Sequence, residues 1–98
     1  MYYLLLYDVV DDFIERRAPF RDAHLKLVRD AHERGELLMA GAFADPVDGA
    51  ALVFTAGDRS VAERFAQEDP YVKEGLVTAW RVRWWNVVVA GEWPTAVA

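Results

Sequence analysis

Tyr2-Tyr3-Leu4-Leu5-Leu6-Tyr7, closed by Asp8, is the stretch on which the fold turns. An unbroken apolar run that ends in acidic residues reads as a strand, here from Tyr2 to about Val9. Both of its faces are apolar. Tyr2, Leu4 and Leu6 point one way, and Tyr3, Leu5 and Tyr7 the other. Ala51-Leu52-Val53-Phe54 repeats the pattern. A sheet with one wet face alternates apolar and polar residues. These two strands do not, so both of their faces call for cover.

Outward from that run, residues 11–17 are mostly polar, with room for one helical turn. Pro19 suits a first helical position, where its missing N–H costs nothing. The helix then runs to Arg34 and stops at Gly35. At about 100° per residue, Phe20, Ala23, His24, Leu27, Val28 and Ala31 share its apolar face. Asp22, Lys26, Arg29 and Glu33 lie opposite, and His32 falls at the margin. A second strand is expected over Leu37–Phe43 and a turn over Asp45–Gly49. A third strand follows from Ala50 to Thr55. Ser60-Val61-Ala62-Glu63 has capping-box spacing. A second helix begins there, turns Val61, Ala62, Phe65 and Ala66 inward, and ends before Asp69-Pro70. Val77–Val89 reads as the last strand, and residues 91–98 as a flexible tail.

The order β-α-β-β-α-β predicts an α+β fold of the ferredoxin-like, split β-α-β kind. Such a fold has a four-stranded antiparallel sheet in the order 4-1-3-2, with both helices on one face. Two short helices cover only that face. A second copy of the chain is the simplest cover for the other, so a homodimer is expected.

The 98 residues make one domain, 1–98, and four tryptophans, four tyrosines and five phenylalanines supply an ample core. At this size, oligomerisation adds useful burial. A net charge of -5 without a basic run argues against nucleic acid, whose phosphates need clustered cations. With no cysteine, disulfides, thiol chemistry and cysteine-ligated metal are excluded. The apolar start lacks a basic flank and a cleavage site and is too short to span a bilayer, so a cytoplasmic protein without a membrane partner is expected. Asp8, Asp11 and Asp12 cluster, but two histidines on different helix positions complete no metal set. No metal and no cofactor are expected.

Strand directions gather the candidate site at one end of the sheet. Tyr7, the start of the first helix, the end of the second strand and Asp69-Pro70-Tyr71 all fall there. His24 lies about one and a half turns into its helix. The two helices run antiparallel, so Asp69 comes near His24. A carboxylate on one imidazole nitrogen fixes the tautomer and leaves the other nitrogen as a base. Arg17 and Arg21 flank His24 where they would hold an anion or, for Arg17 above all, simply solvate the helix start. Tyr7 and Phe43 stand where they would line a pocket or serve as plain core. A histidine on an apolar helix face also serves purely structural ends, and spacing alone leaves both uses open.

Glu15-Arg16-Arg17, Arg21, His24-Leu25, Gly35, Leu37-Leu38-Met39-Ala40-Gly41 and Asp69-Pro70-Tyr71-Val72-Lys73-Glu74-Gly75, in this order, resemble the YciI-like (YCII-related) family. The resemblance runs from Tyr2 to about Val88. It implies a dimeric α+β barrel similar to muconolactone isomerase and its relatives, with a site histidine and aspartate that fall on His24 and Asp69. The chain departs from the family in having Gly41-Ala42 where Gly-Pro is common. Its following loop is short and lacks a Ser/Thr-rich turn, so no serine is assigned to the site. The resemblance implies lyase-like chemistry, such as removal of HCl from a chlorinated hydroxyhydroquinone, but that substrate is not carried over.

Two functions are therefore in view. One is an enzyme of lyase or isomerase type, with catalytic His24 and Asp69 and with Arg21, Arg17, Tyr7 and Tyr71 binding a small anionic or phenolic molecule. The other is a non-catalytic ligand-binding or interaction module in which the His–Asp pair is structural.

Overall fold

In a computed structural model, which describes residues 1–90, β1 (Tyr2–Val9) lies inside the sheet. It pairs antiparallel with β3 (Gly49–Thr55) on one side and β4 (Val77–Trp85) on the other. β2 (Leu37–Ala42) joins the outer side of β3, giving the order β2-β3-β1-β4. This is the expected ferredoxin-like α+β topology. The tail expected at 91–98 lies outside the described residues.

Register sorts the side chains. On the inner face, Leu5 sits opposite Leu52 and Val82, and Tyr7 opposite Ala50 and Trp80. Tyr3, Leu5 and Tyr7 are buried there with Leu37, Leu52 and Phe54, under Ala31, Ala62, Phe65 and Ala66 of the helices. On the outer face, Leu4 sits opposite Val53 and Arg83, and Leu6 opposite Ala51 and Arg81. Among the described residues no helix covers that side: Leu4, Leu6, Ala51 and Val53 are only half-buried, and Met39 and Trp85 are exposed.

Between β1 and β2 come a one-turn α1 (Phe13–Arg16), a 3₁₀ turn over Ala18–Phe20, and α2 (Arg21–Glu33). Pro19 therefore sits in the 3₁₀ turn, and the α-helix begins two residues later than expected. His24, Leu27, Val28 and Ala31 face inward, but Ala23 is exposed. The covered arc runs towards Leu25, on the other side of His24. Arg34 and Gly35 end the helix: Gly35 N–H donates to His32 O and Glu36 N–H to Ala31 O, with Gly35 at φ +79°. That six-to-one, five-to-two pattern needs a left-handed residue, which glycine adopts without a Cβ clash.

α3 (Ser60–Glu68) turns Ala62, Phe65 and Ala66 inward. The capping box is not formed, because Ser60 is already within the helix and Arg59 precedes it. Asp58 takes over instead. Its carboxylate accepts from Ser60 N–H and Oγ–H, and these bonds hold its pKa below the ordinary value. β4 stops at Trp85, short of Val89, because Trp85 already pairs with Tyr2, where β1 begins. β2 stops at Ala42, so Phe43 lies just past it.

Candidate functional site

The site starts from a proline. A residue before Pro is pushed out of helical conformation. Asp69 accordingly sits at φ -67°, ψ 121°, and α3 ends there. Pro70 opens the short α4 (Pro70–Lys73), and Asp69 caps it by accepting Tyr71 N–H at Oδ1, 3.0 Å away. The break turns the Asp69 side chain into the core, where it is fully buried.

Three donors satisfy this buried carboxylate. Besides Tyr71 N–H, the Tyr7 hydroxyl donates to Oδ2 at 2.7 Å, and His24 Nδ1 lies 2.8 Å from Oδ1. A carboxylate only accepts, so His24 donates from Nδ1, the tautomer whose neutral form carries its lone pair on Nε2. Nε2 has no hydrogen-bond partner among the described residues. The His24 side chain retains 14% exposure and lines a cavity. Burial raises the Tyr7 phenol far above its ordinary pKa, and the charge and hydrogen bond of Asp69 add to the shift. Tyr7 therefore stays a donor.

Tyr71 does two further things. Its ring stacks on the His24 imidazole, with centroids 3.9 Å apart and planes 13° from parallel. Phe13 meets the same ring edge-on at 5.3 Å. The Tyr71 hydroxyl is buried with no hydrogen-bond partner among the described residues.

Beside His24 lies a cavity of about 250 Å³. α1 and α2 contribute Phe13, Arg21, Leu25 and Val28 to its lining, and the sheet contributes Tyr7, Ala40, Ala42, Ala50 and Leu52. Arg17 and Arg21 border it, Arg17 lying over the Phe13 ring at 5.4 Å. Neither guanidinium forms an ion pair among the described residues, so both carry uncompensated charge at the cavity. His24, Asp69, Tyr7, Tyr71, Arg17 and Arg21 thus converge. Phe43 stays outside the lining and is exposed, because β2 ends before it. His32 stands apart from the cavity, where its Nδ1 donates to Leu37 O at 2.8 Å and ties the end of α2 to β2. Among the described residues, no group of three or more His, Cys, Asp or Glu side chains is placed to hold a metal ion.

The profile of the YCII-related domain matches residues 1–86. The chain belongs to the YCII-related family. No curated protein matches it. Among solved structures, this YCII-related chain is similar to 5-chloro-2-hydroxyhydroquinone dehydrochlorinase (TftG) from Burkholderia phenoliruptrix AC1100, in complex with 2,5-dihydroxybenzoquinone. The TM-score is 0.72 at 20% identity, covering 87% of this chain and 93% of that one. At that identity the likeness speaks for the fold.

Sequence reasoning missed two features of this YCII-related site. One is the bond from Tyr7 to Asp69, whose only trace is a tyrosine at the end of β1. The other is the alanine lining, whose signal was alternation of small residues on β2 and the start of β3. No helix among the described residues is long and apolar enough to cross a membrane.

Proposed function

We propose that this protein is an acid–base enzyme of lyase or isomerase type acting on a small anionic or phenolic molecule. The observation that carries the reading is the 2.8 Å contact of His24 with Asp69 beside a cavity, with Nε2 left unbonded. In this reading Nε2 removes a proton from the bound molecule, and Asp69 stabilises the imidazolium that forms. Arg17 and Arg21 hold the negative charge that develops on the substrate oxygen. In a lyase, the electron pair of the broken C–H or O–H bond becomes a new double bond, and the leaving group departs with its own bonding pair. In an isomerase, Nε2 returns the same proton at another atom. The phenolic substrate class draws support from the name and ligand of the similar dehydrochlorinase.

The proposal includes a homodimer joined through the outer sheet face. Its support is the uncovered apolar surface of β1 and β3, extended by Met39 at 70% exposure and Trp85 at 45%.

The test is a panel of small phenols and quinols, including 2,5-dihydroxybenzoquinone, incubated in D₂O with the protein and followed for solvent-proton exchange or elimination. His24→Asn should abolish any activity that the wild-type protein shows while the protein stays folded, its melt lowered only by the lost bond to Asp69 and the lost stack on Tyr71. Equal activity in the two proteins would overturn the role of His24.

A further inference from the structure

Core positions on the inner face of the sheet carry Leu5, Leu37, Leu52 and Phe54, and these fill the space beneath the helices. At one corner the pattern changes. Ala42 sits directly across from Ala50, next to the pair Ala40–Leu52. Ala50 in turn faces Tyr7 of the site. These alanines lie under the first turns of α2, and the side chains they lack are what leave the 250 Å³ cavity open. The chain thus leaves unfilled the one part of the inner face that lies beside His24, in a protein whose small core can least spare the burial.

We propose that Ala42 and Ala50 determine specificity by setting the size of the ligand, which is a single-ring molecule resting on this alanine floor. The inference rests on the acid–base reading above and deepens it. Size supports it. An apolar cavity of roughly 150 Å³ accepts a bare benzene ring, whereas drug-sized ligands occupy roughly 300–1,000 Å³. A space of about 250 Å³ suits one ring with two or three substituents. Chemistry supports it too. The floor is apolar, while Arg17, Arg21 and His24 supply all the charge and proton traffic from the helical side. A ring face against alanine methyls and an acidic substituent towards the guanidiniums satisfy both walls. An acyclic anion of two carbons would use only the second.

The experiment compares wild type with Ala42→Leu and Ala50→Leu, using 4-hydroxybenzoate as the ring probe and acetate as the small one. Binding is followed by the NMR signals of His24, and folding by thermal melts. The wild-type protein should bind the ring probe. Each leucine variant should weaken that binding about tenfold or more, equivalent to about 1.4 kcal/mol. The melting temperature should hold or rise, because leucine fills open space rather than packed core. Acetate binding should survive in both variants.

Undiminished ring binding in both leucine variants would overturn the proposal. So would a wild-type protein that answers to acetate but to no ring, a result that leaves the acid–base role of His24 standing. Should one leucine variant unfold, Ala→Val at the same position, with a smaller graded loss of ring binding, decides the question. Equal activity of wild type and His24→Asn would instead sink the acid–base reading and leave the size limit intact.

Discussion

The imidazole of His24 lies nearly flat on the phenol ring of Tyr71, 3.9 Å away, while the backbone N–H of Tyr71 bonds the carboxylate that His24 bonds. One residue therefore fixes both the plane of the imidazole and the position of its partner. The Tyr71 hydroxyl contributes nothing visible to that arrangement, because it is buried with no partner among the described residues. A buried unsatisfied hydroxyl costs about 1–3 kcal/mol. Tyr71→Phe should therefore leave stability unchanged or raise it by up to about 1 kcal/mol, or about 4–8 °C in Tm. Tyr71→Leu should lower it by about 1–3 kcal/mol through lost ring contacts. Thermal melts of the two variants check this, and a large loss in Tyr71→Phe would reveal a hidden partner for the hydroxyl.

Asp69→Asn tests the pair from the other side. The amide presents one acceptor oxygen and one donor nitrogen to three donors, so at least one buried group loses its partner. Stability should fall by about 1–3 kcal/mol. The imidazole is also freed to place its proton on Nε2, the nitrogen that the proposed chemistry needs as a base. Activity should then fall much further than stability. The checks are a denaturant titration and an ¹⁵N spectrum of the His24 ring, in which the tautomer should shift from Nδ1–H towards Nε2–H. An unchanged tautomer would separate Asp69 from control of the proton.

Tyr7 gives a pH signature. Burial, then the charge and the hydrogen bond of Asp69, raise its phenol in the folded protein above the ordinary value near 10. The unfolded chain thus releases this proton first as pH rises. Stability contributed by protonated Tyr7 is complete below about pH 10 and declines above it, by at most about 1.4 kcal/mol per pH unit. Tyr7→Phe should remove this alkaline slope, and it should lower stability near neutral pH by about 1–3 kcal/mol because Asp69 Oδ2 loses its donor. Denaturant midpoints between about pH 8 and pH 11, wild type against variant, measure both effects across the ordinary tyrosine range. Parallel slopes would show that Tyr7 ionises as easily in the fold as out of it.

Much of this was legible in the sequence, and the reason is periodicity. The strand Tyr2–Val9, the helix stop at Gly35 and the break at Asp69-Pro70 each follow from local chemistry, and strand directions then bring Asp69 towards His24. What escaped depends on register and on side-chain reach. The bond from Tyr7 to Asp69 spans 62 residues and needs the end of β1 to reach the junction of α3 and α4. Ala40, Ala42 and Ala50 look ordinary until pairing places them on one face. The exposure of Ala23 reflects which arc of α2 meets the sheet, and a helical wheel leaves that open by one position. The lost capping box shows a local rival, Asp58, accepting the Ser60 N–H that the spacing assigned to the Glu63 carboxylate.

The outer sheet face supplies the last prediction. Leu4 lies between Val53 and Arg83, and Leu6 between Ala51 and Arg81, so the apolar centre of this face has arginines along its β4 side. Such a surface buries well against its own copy, because a two-fold axis over β1 sets apolar centres together and leaves the charges towards the edge. A stable dimer needs more than roughly 1,000 Å² of total buried area. Light scattering at micromolar concentration should give twice the mass of the 11.1 kDa chain. Leu4→Glu and Leu6→Glu put an unpaired carboxylate at the middle of the interface. Each should abolish the dimer and lower the melting temperature or cause aggregation, since the exposed face then has no cover. Arg83→Glu, at the margin, should weaken association far less. A wild-type protein that scatters as a stable monomer would remove the dimer, and with it the explanation for a first strand that is apolar on both sides.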